Sequence, residues 1–116
     1  TAQFDKALEL FSLAVKYYPD FEDALVGLGR TLMSLGRPEQ ALPNLQRALA
    51  LNARNEVSWY QLSVAYKSLG NAIEQKKALV EFQRLRSQKS QAADIVNFSR
   101  QEVTRQKLDP VPPKQD

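Results

Sequence analysis

The sequence contains no cysteine and no histidine among its 116 residues. The absence of cysteine excludes disulfide bonds and thiolate nucleophiles, and it leaves the redox compartment of the protein undetermined. The absence of histidine removes the commonest general base and, together with the absence of cysteine, most ligands for zinc and other transition metals. We therefore expect no catalytic residue, no metal and no cofactor, and the composition argues against an enzyme.

Long apolar runs are also missing. Although 43% of the residues are hydrophobic, charged and amide side chains interrupt every apolar stretch well before the ~20 residues that a membrane-spanning helix needs. We predict no membrane span. The first residues show no positively charged and then apolar leader, so no signal peptide is visible. The compartment, whether cytoplasmic, periplasmic or secreted, stays open.

The net charge of +3 is small and unevenly distributed. Residues 1–83 carry nine basic and nine acidic side chains, whereas residues 84–116 carry seven basic and four acidic ones. A nucleic-acid-binding surface normally shows a concentrated basic stripe. A neutral body with a mildly basic C-terminal third therefore predicts no nucleic-acid partner.

Glycine is scarce, and its placement reveals a repeat. Two of the four glycines, Gly36 and Gly70, lie 34 residues apart. The same shift brings Ala7 onto Ala41 and returns much of the apolar pattern, which is typical of a helical-repeat protein. The other coinciding pairs are Phe11 and Leu45, Ala14 and Ala48, Leu25 and Trp59, Leu28 and Leu62, Leu32 and Tyr66, and Leu35 and Leu69.

Within each period, apolar residues recur at spacings of three and four, which predicts amphipathic helices. Asp20 and Asn55 are suitable N-caps, Pro38 suits a first helical position, and Gly36 and Gly70 suit helix ends in the left-handed conformation. Short turns make successive helices antiparallel neighbours. The predicted helices cover residues 2–18, 21–35, a stretch from residue 38 that includes Leu49, residues 55–69, and a last stretch from about residue 71 that extends past residue 86.

The segment Trp59-Tyr-Gln-Leu-Ser-Val-Ala-Tyr66 resembles the first-helix signature of tetratricopeptide repeats. Ala7-Leu-Glu-Leu-Phe-Ser-Leu-Ala14, followed by Pro19, resembles the second-helix signature, and Leu25-Val-Gly-Leu-Gly29 resembles the Leu-Gly of the first helix. The resemblance covers about residues 2–86. It implies an all-α fold in which antiparallel helix pairs stack as a right-handed α-solenoid. In this fold the large side chains Trp59 and Tyr66 are expected in the core.

The domain organisation follows from the positions of these signatures along the chain. Residues 1–86 are predicted to form about two and a half repeats: the second helix of a first repeat (2–18) and two full repeats (21–52 and 55–86). Residues 87–108 are predicted to be a C-terminal capping or extension segment, in which Ser99-Arg-Gln-Glu102 resembles a capping box that opens a short helix. This segment could cap its own chain or dock on another. The Pro-rich tail, residues 109–116, is expected to be extended and mobile.

Because the chain enters in the second helix of a repeat, one face of its first helix is expected to lie partly uncovered. That face includes Phe4, Leu8 and Phe11. An apolar patch of this kind marks an interface. We expect either that the chain is a fragment of a larger protein with more repeats, or that two copies pair as a homodimer through this face.

The resemblance also implies where a partner would bind, because the concave face of such a stack is lined by the first helix of each repeat. Tyr60, Arg30 and Met33 are the strongest candidates, since aromatic, arginine and methionine side chains concentrate binding energy at interfaces. Each candidate could equally be an ordinary surface residue. The full predicted set is Asp23, Val26, Arg30, Met33, Tyr60, Val64 and Lys67.

These features favour two functions and argue against two others. The leading hypothesis is a non-catalytic scaffold that binds a peptide or helix of a partner protein, and the alternative is a structural spacer or self-association segment. A phosphate-binding loop at Gly27-Leu-Gly29 is not supported, because this segment lies in a helical pattern and lacks the third glycine and the lysine. RNA binding would need several basic residues phased on one face. Some chaperone-binding members of the family clamp a terminal carboxylate with several cations, but on the predicted concave face only Arg30 and Lys67 are cationic, so we do not predict this kind of binding.

Overall fold

The computed structural model describes the backbone of residues 1–108 and the side chains of residues 1–105. The predicted Pro-rich tail, residues 109–116, lies outside the described residues. The described part is all-α, as the sequence predicted, with five helices and no strand. The helices are α1 (Ala2–Tyr17), α2 (Glu22–Ser34), α3 (Pro38–Leu51), α4 (Glu56–Ser68) and α5 (Ala72–Leu108).

The chain divides into two units, Thr1–Leu85 and Arg86–Asp116. The first unit holds α1 to α4 and the first part of α5, and the described part of the second unit is helical. The prediction of a new helix opening at Ser99 is wrong, since Ser99 lies inside α5. The reason is local: no glycine or proline occurs between Ala72 and Leu108, so no residue in this range breaks the helix.

Three predicted helix-boundary signals are confirmed. Gly36 and Gly70 have φ angles of 73° and 74°, in the left-handed region where a residue without a Cβ ends a helix at no steric cost. Asn55 is the N-cap of α4, where its side-chain oxygen accepts a hydrogen bond from the backbone N–H of Val57 at 3.0 Å. These three positions set where α2 and α4 begin or end.

The N-cap predicted at Asp20 is wrong, because Phe21 occupies the N-cap position of α2 and makes no side-chain capping bond. The Asp20 carboxylate instead accepts a hydrogen bond from Nη2 of Arg47 at 2.9 Å. Nε of the same arginine donates to the backbone oxygen of Pro19 at 3.0 Å. One side chain of α3 therefore holds the loop between α1 and α2.

A second polar contact joins the start of α2 to the loop between α3 and α4. The carboxylate of Glu22 accepts hydrogen bonds from the side-chain amides of Asn52, at 3.2 Å, and Asn55, at 2.8 Å. Hydrogen bonds to a charged acceptor are stronger than neutral ones. Since Asn55 also caps α4, this carboxylate links the beginnings of the two corresponding helices of successive repeats.

Aliphatic side chains from four helices form the core of the first unit. Trp59 and Tyr66 are partly buried against this core, which confirms their predicted role, and Nε1 of Trp59 donates to the backbone oxygen of Ala53 at 2.8 Å. The buried residues of this cluster are Leu28, Leu32, Ala41, Leu45, Leu49, Leu62 and Ala78.

The helix α2 approaches its neighbours closely at two glycines. A Cβ atom built on Gly29 would lie 2.6 Å from Cδ2 of Leu45 on α3. A Cβ atom on Gly27 would clash with the ring of Phe11 on α1. Both partners pack into the core. The missing side chains of these two glycines are therefore what allows α2 to lie between α1 and α3.

We predict that Gly29→Ala destabilises the first unit by up to about 2 kcal/mol. Overpacking against Leu45 costs about 1–3 kcal/mol, and this outweighs the gain of about 1 kcal/mol in helix propensity. Urea denaturation followed by circular dichroism measures the change. In a Leu45→Val background, which shortens the opposing side chain, the same substitution should cost less. An equal cost in both backgrounds would show that the contact with Leu45 is not responsible.

The side chain of Ser58, on α4, is fully buried, and its hydroxyl has no hydrogen-bond partner among the described residues. A buried hydroxyl without a partner costs about 1–3 kcal/mol relative to a satisfied one. The corresponding position one repeat earlier holds Ala24, which is 2% exposed. Ser63, on the same helix, is also buried, but its hydroxyl donates to the backbone oxygen of Tyr60 at 2.6 Å.

These two serines provide a matched pair for a stability test. We predict that Ser58→Ala raises the free energy of unfolding by about 1 kcal/mol, because it removes an unsatisfied group and improves helix propensity. Ser63→Ala removes a formed hydrogen bond and should be neutral or mildly destabilising. Thermal melts of both variants make the comparison. Equal shifts of the two melting temperatures would mean that the Ser58 hydroxyl is satisfied in solution.

Candidate functional site

Two of the predicted site residues on α2 share one exposed side of the helix. Asp23 and Arg30 are both exposed, and their separation of seven residues is close to two helical turns. Among the described residues, Arg30 makes no ion pair. This side of α2 therefore presents an acidic and a basic group to solvent.

The predicted residues on α4 also fall together. Tyr60 and Lys67 are exposed and lie seven residues apart, with the half-buried Val64 between them. Within the described range, Lys67 takes part in no ion pair. Helices α2 and α4 contact each other. We call five side chains on these two helices the α2–α4 face: Asp23, Arg30, Tyr60, Val64 and Lys67.

Of the other two predicted site residues, Val26 lies in the core and Met33 packs partly against it. Val26 is only 9% exposed and packs with Leu25 and Ala48, so its prediction as a surface residue is wrong. Met33 is half-buried against the main core and is only partly accessible. The reason is that α2 contacts α1, α3 and α4. A helix with three neighbours buries a wider sector than its apolar stripe suggests.

Tyr60 is held in place by a residue that the sequence did not identify as part of the site. Its ring lies 5.2 Å from the ring of Phe82, centroid to centroid, at an angle of 47°. This geometry lies within the range of favourable aromatic pairs. Phe82 occupies the repeat position of Ala14 and Ala48. That departure from a small residue was the sequence signal for the contact, and Tyr60 nevertheless remains 45% exposed.

The α2–α4 face contains both apolar and charged side chains. It combines one ordered aromatic ring, one aliphatic side chain, two cations and one carboxylate. No cluster of potential metal ligands occurs among the residues that the structure describes. In the same range, none of the helices combines the length and apolar character that a bilayer crossing requires.

The first helix presents a different apolar surface from the predicted one. Leu8 and Phe11 are half-buried because they pack toward α2, and Phe4 is 38% exposed. The more exposed residues are Leu10, at 55%, and Leu13, at 44%. The three-residue spacing of Leu10 and Leu13 along the helix could have been recognised in the sequence.

Stacked antiparallel helix pairs with small residues at the contacts define an α-helical repeat protein, and comparison with known families identifies its kind. Models of the tetratricopeptide repeat match residues 2–43 and residues 26–93. The second match alone covers more than half of the chain. The chain therefore belongs to the tetratricopeptide repeat family, which confirms the resemblance seen in the sequence.

Similar proteins include much longer ones. Over 68 residues, the chain is 30% identical to protein O-mannosyl-transferase TMTC3 of Mus musculus and 28% identical to that of Homo sapiens. Each match spans 59% of this chain but only 7% of the relative.

Solved structures with the same fold include two of MamA. MamA MSR-1 has a TM-score of 0.70 at 21% identity and covers 75% of this chain and 50% of its own. MamA AMB-1 has a TM-score of 0.69 at 21% identity and covers 74% of this chain and 51% of its own. At this level of identity the likeness concerns the fold.

The burial of Val26 can be tested by stability. We predict that Val26→Asn lowers the free energy of unfolding by about 2–4 kcal/mol, because it buries an amide and removes apolar packing. Val57→Asn on α4 is the matched control, since Val57 is 39% exposed, and it should change stability by less than about 0.5 kcal/mol. Chemical denaturation of the two variants gives the difference. Similar losses of unfolding free energy in the two variants would place Val26 on the surface.

Proposed function

We propose that this tetratricopeptide-repeat chain is a non-catalytic scaffold that binds a peptide or helix of a partner protein on the concave face of its helix stack. The proposed contact surface is the α2–α4 face. The non-catalytic role is supported by the repeat family and by the absence of histidine and cysteine from the sequence. The family generally works through protein partners, and the α2–α4 face has the composition of a recognition surface.

The observation that carries this proposal is the state of Tyr60. Its side chain is 45% exposed, yet its ring packs on Phe82. An exposed aromatic ring that is already ordered loses little conformational entropy when a ligand covers it. Tyrosine is also among the residues that dominate binding energy at interfaces. Tyr60 is therefore the proposed anchor of the surface.

The charges on the face suggest the chemistry of the ligand. Arg30 and Lys67 are exposed cations without an ion pair among the described residues. Asp23 adds a single opposing charge. A ligand that places an apolar side chain on Tyr60 and an acidic group near these cations would complement the face. Such charges affect specificity and association rate more than affinity.

We further propose that these repeats belong to a longer protein. The relatives TMTC3 of mouse and human are matched over only 7% of their length. Repeat modules commonly act as binding segments beside other domains. The transferase activity in the name of these relatives is a property of those proteins, and we propose a binding role for the matched segment here.

A structural spacer or self-association segment is the alternative, and one observation favours it. Helix α1 has no buried residue, and Phe4, Leu10 and Leu13 are exposed on it. Exposed apolar side chains grouped on one helix often mark a contact with another protein surface. In this reading α1 pairs with a second copy of the chain, as the sequence suggested for its first helix.

The binding proposal is tested by selecting peptide ligands for the unmodified chain from a displayed random library. We predict that Tyr60→Ala and Arg30→Glu each weaken a selected peptide by about tenfold or more. Val80→Ala and Arg37→Glu are matched controls, because both residues are exposed and lie off the α2–α4 face. Fluorescence anisotropy of the labelled peptide measures the affinities.

Equal binding by Tyr60→Ala and Val80→Ala would reject the α2–α4 face as the contact surface. The same preparations distinguish the alternative function by sedimentation. A chain that selects no peptide, but forms a dimer that Leu13→Glu disrupts, would support self-association through α1 in place of the scaffold role.

A further inference from the structure

A second surface of the first unit is an apolar groove formed by the first part of α5 and one residue of α4. Ile73 and Val80, on α5, are 70% and 54% exposed. With the half-buried ring of Trp59, on α4, they line a groove of about 720 Å³. We call Trp59, Ile73, Lys76 and Val80 the α4–α5 groove. Its lining residues all belong to the first unit.

The apolar residues of this groove depart from the repeat pattern. One repeat earlier, the positions of Ile73 and Val80 hold Glu39 and Gln46, which are both exposed. Two repeats earlier, the same positions hold two further exposed polar residues, Asp5 and Ser12. Packing between repeats therefore does not require apolar side chains at these positions. Exposed large apolar side chains gathered in one groove mark a contact with another molecule, and here the contact would be particular to the last repeat.

The floor of the groove is fixed before any ligand arrives. The ring of Trp59 packs against the core, and its Nε1 donates to the backbone oxygen of Ala53 at 2.8 Å. Because this N–H is the only hydrogen-bonding group of the side chain, the ring needs no polar partner from a ligand. The groove therefore offers a ligand an ordered apolar floor.

The charges at the rim leave one cation uncompensated. Oε1 of Glu74 lies 3.3 Å from Nζ of Lys77. Oε2 of Glu81 lies 2.7 Å from Nη2 of Arg84. Lys76 also lines the groove, and it makes no ion pair among the residues that the structure describes. An acidic group on the occupant would therefore complement the rim, which favours association with the correct partner.

We propose that the α4–α5 groove binds an amphipathic helix of a partner protein, with an acidic side chain beside its apolar stripe. Ile73 and Val80 are seven residues apart, about 10.5 Å along one side of α5. A partner helix lying along α5 repeats its apolar side chains at the same interval, as helices bound in grooves do. The acidic side chain would meet Lys76.

Other kinds of peptide fit the groove less well. A proline-rich segment docks between several aromatic rings, whereas Trp59 is the only aromatic residue that lines this groove. An extended peptide that adds a strand needs the edge of a sheet, and the described helices include no strand. A helix is therefore the occupant that the groove fits best.

This site is separate from the proposed function. The α4–α5 groove and the α2–α4 face share no residue, so a variant in one leaves the side chains of the other in place. A ligand of the face should depend on Tyr60 and tolerate Val80→Ala. A ligand of the groove should depend on Val80 and tolerate Tyr60→Ala. Failure of one proposal is therefore distinguishable from failure of the other.

The test selects ligands from a displayed library of helix-forming peptides that contain no tryptophan. The selection uses the Tyr60→Ala chain, which lacks the proposed anchor of the α2–α4 face. The probe for all later measurements is the most enriched peptide in synthetic form. We expect it to carry apolar residues seven positions apart and an acidic residue beside them. Trp59 is the single tryptophan of the chain, so its emission should move to shorter wavelength when the peptide covers it.

Substitutions in the groove measure its part in binding. We expect Val80→Ala and Ile73→Glu each to weaken the peptide about tenfold or more, by fluorescence anisotropy. Ile95→Glu is the matched control, because Ile95 is 66% exposed and lies outside the groove, and it should leave the affinity unchanged. The replaced residues are exposed, so the fold should remain intact, which circular dichroism verifies.

A charge exchange tests the acidic contact. Lys76→Glu should weaken the peptide by up to about fivefold, and a peptide whose acidic residue is replaced by lysine should regain affinity for this variant. Absence of recovery would overturn the acidic contact. An enriched peptide that Ile73→Glu and Ile95→Glu affect equally, or a selection without enrichment, would overturn the groove as a helix site. Self-association that Ile73→Glu abolishes, without an enriched peptide, would assign the groove to a second copy instead.

Discussion

The close approach of α2 to α1 and α3 is the constraint on which the rest of the first unit depends. Gly27 leaves room for the ring of Phe11, and Gly29 leaves room for Leu45. Protein interiors are packed like molecular crystals, so a helix that is contacted from several sides needs small residues where its neighbours press closest. With α2 in this position, α3 and α4 both contact it within the same unit.

Polar contacts at the loops also help to hold the packed helices in their relative positions. Arg47 ties α3 to the loop before α2, and Glu22 ties the start of α2 to Asn55, the N-cap of α4. Exposed ion pairs contribute little to stability by themselves. Their effect here is to fix the positions of loops, and the loop held by Arg47 is the one that carries the exposed rings of Tyr18 and Phe21.

The sequence was most informative where a residue acts locally. Gly36 and Gly70 end helices, and Asn55 caps one, because these roles depend on a few neighbouring atoms. The sequence was less informative where residues from another helix contact the position. Asp20 is a good N-cap by residue type, but Arg47, 27 residues away, engages its carboxylate. Val26 lies outside the apolar stripe of α2 and is buried all the same, since three helices contact α2.

The same distinction explains why the repeat could be recognised from the sequence more readily than the candidate contact residues. Repeat positions are constrained by neighbours that recur every 34 residues, so they leave a periodic signal. A recognition surface depends on departures from the period. Phe82 replaces the small residue of earlier repeats, and its ring contacts Tyr60, whose repeat counterpart Val26 is buried. The presence of Phe82 in place of a small residue on the second helix of a repeat thus goes together with the ordered ring of Tyr60 on the first helix. Candidate contact residues in this chain are therefore best sought where the repeats differ, because identical positions serve the packing that all repeats share.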